Sequence, residues 1–223
     1  VAQGAVVGVE DGHRSDHTRC WGAGVLGCYG AQMRLRSLDV FRGLTVAAMV
    51  IVNNPGDWGA VYWPLLHAEW HGWTPTDLIF PFFLFIVGVS ITLALAGKKA
   101  SHLPRKDLYT KIIRRTVILF ALGLFLNGFP FFDIETLRIP GVLQRIAVCY
   151  FFAAVIFLHC GVKMQATWAS ALMLLYWAFM QWFPVPGTGA GSYAEGANFS
   201  AWLDGLLLTG HMWSQTGSWD PEG

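Results

Sequence analysis

The chain has 223 residues, 54% hydrophobic and 13% charged, with a mean hydropathy of +0.45. Water-soluble domains carry about 25% charge, so this composition excludes an ordinary soluble globule and points to lipid as the principal solvent. The formal net charge of +1 gives no basis for a nucleic-acid partner, whereas the 11 Trp suit a bilayer, where indoles favour the headgroup zone.

Residues 1–32 are Gly-rich, have no spanning run and lack the basic, apolar and small-residue order of a signal peptide. They read as a disordered or non-native extension, with a natural start at Met33. His13 and His17 are four apart but sit in a stretch without helical periodicity, and the spacing of Cys20 and Cys28 fits no common zinc pattern, so no metal site is expected. Cys149 and Cys160 lie in or beside an apolar run, where they are expected to be buried small hydrophobes.

Residues 33–223 read as the N-terminal part of a membrane domain. Five apolar segments follow one another at 38–53, 77–96, 112–129, 142–160 and 166–183. Each approaches the roughly 20 residues a spanning helix needs, and lipid forces backbone groups to pair within the segment. The expected fold is therefore all-α, a polytopic transmembrane bundle with about five spans. Punctuation agrees. Thr74-Pro75-Thr76-Asp77 supplies a cap, a proline and a first-turn acid ahead of the second segment. Pro140-Gly141 precedes the fourth, and Pro184-Val185-Pro186-Gly187 ends the fifth. The remainder, 184–223, is an outer loop in which 199–208 has the pattern of a short helix on the membrane surface. An odd span count and an abrupt end give the expectation of a C-terminally truncated fragment, inactive alone.

Charge distribution sets the sidedness. Lys98, Lys99, Arg105, Lys106, Lys111, Arg114 and Arg115 are seven of the 15 basic residues, which places their loop in the cytoplasm. Alternation then puts Arg34, Arg36 and Lys163 inside too, and leaves the region 53–75, which has no Lys or Arg, outside. The N-terminus is expected in the cytoplasm and His67 and His71 on the outer face.

Several side chains have the chemistry of a site. Asp39 and Arg42 share a helix face; they form either a local ion pair at the membrane edge or a functional pair within a span. Arg145 opens the fourth helix and needs an acidic partner, for which Asp39 and Asp77 are candidates. Arg138 reads first as a headgroup anchor. Asn53, His67 and Asp77 together supply an amide donor, a base and an orienting acid. Each also has a plain structural role available, Asp77 as a helix cap and His67 as a satisfied interfacial group. No P-loop, G-x-S-x-G or H-E-x-x-H motif is present.

Four stretches in order carry a family resemblance: RLRSLDVFRGLTVAAMVIVNNPG, HAEWHGWTPTDLIFPFFLFIVGVSI, LRIPGVLQRIAVCYF and SWDPEG. From Leu35 to Gly223 the chain resembles the transmembrane heparan-α-glucosaminide N-acetyltransferases and their bacterial relatives. The resemblance implies a membrane enzyme, in a bacterial plasma membrane here, that takes acetyl from cytosolic acetyl-CoA and passes it to an amino sugar or envelope glycan outside. The family's H-A-x-W histidine falls on His67, and its helix-closing asparagine on Asn53; with Asp77 these are the expected catalytic residues. Arg36, Arg42 and Arg145 are the candidates, by charge, for binding the anionic donor; Arg114 and Arg115 are assigned to topology. His71 stands where the animal enzyme has another polar residue and receives no catalytic role. Where the family often has an Asp-Arg pair in the late outer loop, Asp204 is followed here by Gly205. The bilayer, an acyl donor and a sugar acceptor are the expected partners, and a homodimer is compatible with the sequence. A transporter or flippase, and a non-catalytic membrane scaffold, are the competing readings.

Overall fold

The computed structural model describes residues 35–100, 105–213, 217 and 219–220, all within the unit Leu35–Gly223. Met33, His13, His17, Cys20, Cys28 and the expected N-terminal extension lie outside the described residues. The described residues contain six α-helices, two 3-10 turns and no β-strand.

An α-helix covers each of the five apolar segments. Helix α1, Arg36–Asn53, stops where Asn54-Pro55-Gly56 breaks the ladder. The Asn53 and Asn54 amides turn back onto the carbonyls of Met49 and Val50 at 2.9 and 2.8 Å, which closes the helix end. The chain then makes a 3-10 turn at Trp63–Leu65 and a second at Pro75–Leu78, which runs straight into α2, Ile79–Ala100. Helix α3, Arg105–Gly128, begins upstream of its apolar segment because Leu108 and Ile112, one turn apart, both bury in the core. Helix α4 spans Val142–His159 and α5 spans Val162–Trp182. A short α6, Phe199–Leu207, has Asn198 as a true N-cap, its side chain accepting the Ala201 N–H at 2.9 Å.

Helix α4 packs on both α2 and α3, and α1 packs on α2. Their shared core holds Ile91, Leu95, Leu108, Ile112, Tyr150 and Ala154. Helix α5 packs chiefly on α6, through Phe179 stacked on Phe199 and Phe183 against Trp202. Cys149 corrects the expectation of a buried thiol. Helix α4 turns Gln144, Ala147, Tyr150 and Ala154 inward, which leaves Val148, Cys149 and Phe152 on its exposed side.

The helices alternate in direction, so their connections gather at two ends. At one end Lys99 donates to the Phe157 and Cys160 carbonyls at 2.5 and 2.7 Å, tying α2 to the end of α4, where cations are favoured. Tyr109 is hydrogen-bonded to His159 at the same end. At the other end three segments meet: 54–74, 129–141 and 183–213. Thr74 and Thr76 donate to the Leu66 and Pro64 carbonyls at 2.6 and 3.0 Å, folding the first segment onto the start of α2. His211 accepts the Ile139 N–H at its carbonyl, 2.9 Å, and donates from Nδ1 to the Leu137 carbonyl, 3.0 Å, joining the third segment to the second.

Among the described residues two elements, Pro75–Lys99 and Val142–His159, are long and apolar enough to cross a membrane. Arg36, Asp39 and Arg42 interrupt α1, and the first half of α3 is basic. The core makes a paired prediction. Ile112, 1% exposed, loses packing on truncation, whereas Ile113, 49% exposed, faces outward. Ile112→Ala is expected to cost about 2–5 kcal/mol and Ile113→Ala within about 0.5 kcal/mol, read as thermal denaturation of the detergent-solubilised protein.

Candidate active site

The H-A-x-W turn and the entry to α2 are one hydrogen-bonded structure, and Asp77 is its centre. Asp77 Oδ2 accepts the Thr74 N–H at 2.8 Å and the Ala68 N–H at 3.2 Å. Asp77 Oδ1 lies 2.7 Å from His67 Nδ1. An ionised carboxylate only accepts, so Nδ1 carries the proton and Nε2 is left as the basic nitrogen of the neutral ring. The carboxylate thus holds the imidazole in one tautomer and one orientation while the side chain stays 69% exposed.

His67 and Asp77 line a cleft of about 960 Å³ together with Asn53, from the end of α1. One hydrogen of the Asn53 amide goes to the Met49 carbonyl, which leaves a second donor and an acceptor on that group. Glu69, Arg138, Glu195 and four indoles, Trp58, Trp70, Trp213 and Trp219, complete the polar and aromatic lining. The structure therefore brings Asn53, His67 and Asp77 to one cavity. His71 lines a separate, smaller pocket of about 240 Å³ beside Tyr176 and Tyr193.

Arg138, which also lines the cleft, is held by a buried carboxylate. Arg138 donates from Nε and Nη2 to the two oxygens of Asp220, both at 2.8 Å, a parallel bidentate pair. Arg145 Nη2 reaches the same carboxylate at 3.4 Å and its Nε donates to the Pro140 carbonyl at 3.2 Å. The Asp220 side chain is 0% exposed. Arg145 thus finds Asp220 rather than Asp39 or Asp77, and Arg138 is an internal ion-pair partner rather than a headgroup anchor. Asp204 also belongs to this group. Burial pushes its carboxyl above the ordinary value, helped by the Asp220 charge and opposed by Arg145 and by a backbone hydrogen bond with Asp220. Its Oδ2 is buried and has no hydrogen-bond partner among the described residues.

Arg42 lies elsewhere. Its guanidinium donates to Asp39 at 3.3 Å and to Ser90 at 3.0 Å, so the Asp39–Arg42 pair is local and bridges to the middle of α2. It sits roughly 16 Å along α1 from Asn53 at 1.5 Å per residue, and Arg36 is further still. The structure does not gather Arg36, Arg42 and Arg145 into one site. Asp220 is the residue that sequence reasoning missed. It stood in the SWDPEG motif, but nothing local marks a partner 75 and 82 residues away. Among the described residues no three His, Cys, Asp or Glu side chains come together as a metal site.

The ion group yields two predictions. Asp220→Asn removes the charge that two guanidiniums share, and breaking a buried pair of this kind costs about 3–5 kcal/mol; hydrogen exchange should rise in 199–213 and not in the α2–α4 core. Asp204 works in the opposite sense. A carboxyl raised in the folded state binds its proton more tightly there, so stability falls as pH rises from the ordinary value of 3.8 through the raised one. Asp204→Asn should therefore raise the melting temperature at pH 7, with the gain shrinking as pH is lowered toward 4.

Comparison with known proteins shows the family. A family model described as heparan-alpha-glucosaminide N-acetyltransferase, catalytic, matches residues 34–201, a span that includes Asn53, His67, Asp77, Arg138 and Arg145. The human heparan-alpha-glucosaminide N-acetyltransferase is 32% identical over 238 aligned residues, covering 85% of this chain and 35% of that protein. The mouse protein of the same name is 39% identical over 128 residues, covering 55% of this chain and 19% of its own length. The chain spans about a third of the length of the human relative. With the match extending over most of its described helices, the chain belongs to the heparan-α-glucosaminide N-acetyltransferase catalytic family.

Proposed function

We propose that this chain carries the catalytic histidine of an integral membrane acyltransferase, which moves acetyl from cytoplasmic acetyl-CoA to an amino sugar or other envelope glycan on the outer side of a bacterial plasma membrane. The observation that carries the reading is the His67–Asp77 pair, 2.7 Å apart, opening with Asn53 on one cleft. Family membership supports the acetyl donor and the sugar amine as substrates. The outward apolar surfaces, with Leu44 64% and Met173 74% exposed, support a lipid surround. In this reading residues 33–223 form the N-terminal part of the membrane domain, five helices span, and the N-terminus is cytoplasmic. The cleft lies at the opposite end of the helices from the basic end of α2 and start of α3, which supports donor entry from one side and acceptor from the other.

The chemistry follows from the tautomer. In direct transfer, Nε2 of His67 takes a proton from the acceptor's ammonium. The freed amine attacks the thioester carbonyl; the C–N bond forms and the C–S bond breaks. The thiolate leaves with the proton held by the imidazolium, and the second N–H proton goes to water. Asp77 stabilises the imidazolium, and the second hydrogen of the Asn53 amide serves the developing oxyanion. The alternative path has Nε2 itself accept the acetyl group before passing it on. Arg36 and Arg42 are proposed for the donor's phosphates. Arg145, at the cleft end, would meet the donor only near its acyl group.

In membranes from cells expressing the full-length protein, His67→Ala is expected to lower transfer of labelled acetyl to glucosamine by about 10²–10⁴-fold. Asn53→Ala should lower kcat by about 10²–10³-fold. Equal transfer by His67→Ala and wild type would remove the assignment. Label trapped on the wild-type protein without acceptor, and absent from the variant, would select the acetyl-histidine path.

A further inference from the structure

Among the described residues, the charges lining the cleft do not balance, and the imbalance has a location. Asp77 is paired with His67. Arg138, which also lines the cleft, is paired with the buried Asp220 carboxylate. Two further carboxylates line the cleft, Glu69 and Glu195, and both residues are exposed. Neither has a hydrogen-bond or ion-pair partner among the described residues.

These two glutamates come from segments far apart in the chain that the fold joins beside the base. Glu69 is two residues from His67, in the same turn. Its neighbour Trp70 donates from Nε1 to the Tyr193 carbonyl at 2.8 Å, a bond between residues 123 apart, and Glu195 follows two residues after Tyr193. Gly196, at φ +67, then turns the chain so tightly against Trp219 that a Cβ there would lie 3.2 Å from the indole nitrogen. Trp219 in turn meets Trp70 edge to face at 5.3 Å. The backbones carrying both carboxylates are therefore fixed to one pair of indoles. Trp58, 68% exposed on the same cleft, offers a ring face of the kind on which the C–H side of a pyranose packs.

We propose that Glu69 and Glu195 are specificity-determining residues of the acceptor subsite, selecting a pyranose that arrives as its ammonium ion over a neutral sugar of the same shape. This rests on the acyltransferase reading for the identity of the acceptor, and it adds the groups that distinguish amine from hydroxyl. The recognition is electrostatic and hydrogen-bonding. The ammonium offers three donors to acceptors that are otherwise unmatched, and a hydroxyl in its place leaves two carboxylates facing a neutral group. Because both side chains are solvated, the attraction weakens with ionic strength.

The test is binding, independent of turnover. The protein in lipid nanodiscs is titrated with D-glucosamine and with neutral D-glucose at pH 6.5, by calorimetry, at two salt concentrations. Wild type is expected to bind glucosamine about 10- to 100-fold more tightly than glucose, the range that hydrogen bonds to charged groups supply, and to lose part of that preference at high salt. Glu69→Gln with Glu195→Gln should bring the two sugars to within about threefold of each other and remove the salt dependence. Glu69→Asp with Glu195→Asp, which retains both charges, should restore part of the preference. Equal wild-type affinity for the two sugars, or full preference in the glutamine variant, overturns the proposal. Wild type that prefers glucosamine but transfers no acetyl supports the subsite and overturns the acyltransferase reading instead.

Discussion

One carboxylate joins the local fold of the cleft to its chemistry. Asp77 stands in the first turn at the entry to α2, where an acid also complements the helix dipole, and its two oxygens gather the N–H groups of Thr74 and Ala68 and the Nδ1–H of His67. A capping residue is usually spent on the helix alone. Here the same group fixes a turn ten residues earlier and sets which ring nitrogen of His67 carries the proton. The Thr74 and Thr76 hydroxyls add two more ties between that turn and the helix entry. The histidine is thus exposed at its tip and held at its base, the arrangement a proton-transferring group needs.

The second wall of the cleft is built on a different principle. Arg138, Arg145, Asp204 and Asp220 bring charge away from water at the start of α4, and full burial of the Asp220 carboxylate is tolerable because several donors converge on it. Asp204 is the dissonant member, with one oxygen buried and without a hydrogen-bond partner among the described residues and a carboxyl raised by its surroundings. The departure from the family's adjacent Asp-Arg pair takes on meaning in this setting. Asp204 has no arginine beside it in sequence, but it lies in the field of Arg145 from α4. The tail that carries it also carries Trp213 and Trp219 into the cleft, so the ion group determines where the aromatic lining stands.

The two ends of the bundle divide the charges between them. The last turn of α2 and the first half of α3 are cationic, and Lys99 there closes the end of α4. The cleft end holds exposed acids, the buried Arg–Asp group and indoles. Such a separation across helices about as long as a bilayer core is thick suits a reaction between an anionic donor and a cationic acceptor that meet from opposite faces.

Much of this was readable before any coordinates. The apolar segments, the Pro and Gly punctuation and the Thr74–Asp77 cap are local properties, because helix formation depends on neighbours within a turn or two. The grouping of Asn53, His67 and Asp77 was expected from motif strings, and the fold brings the three to one cleft, with Asn53 closing α1, Asp77 in the turn that enters α2 and His67 in the segment between them. What local pattern could not supply was the partner of each charge. Arg145 had plausible acids nearer in the chain, yet it meets Asp220, and Trp70 binds a carbonyl 123 residues on. The exposed side of Cys149 likewise depended on which face α4 turned to its neighbours. Sequence by itself determined which stretches are helical, where they end and which connection is basic. Tertiary structure alone decided which buried charges pair and which glutamates are left facing the cleft, since that choice depends on desolvation and approach between segments that packing, not chain connectivity, brings together.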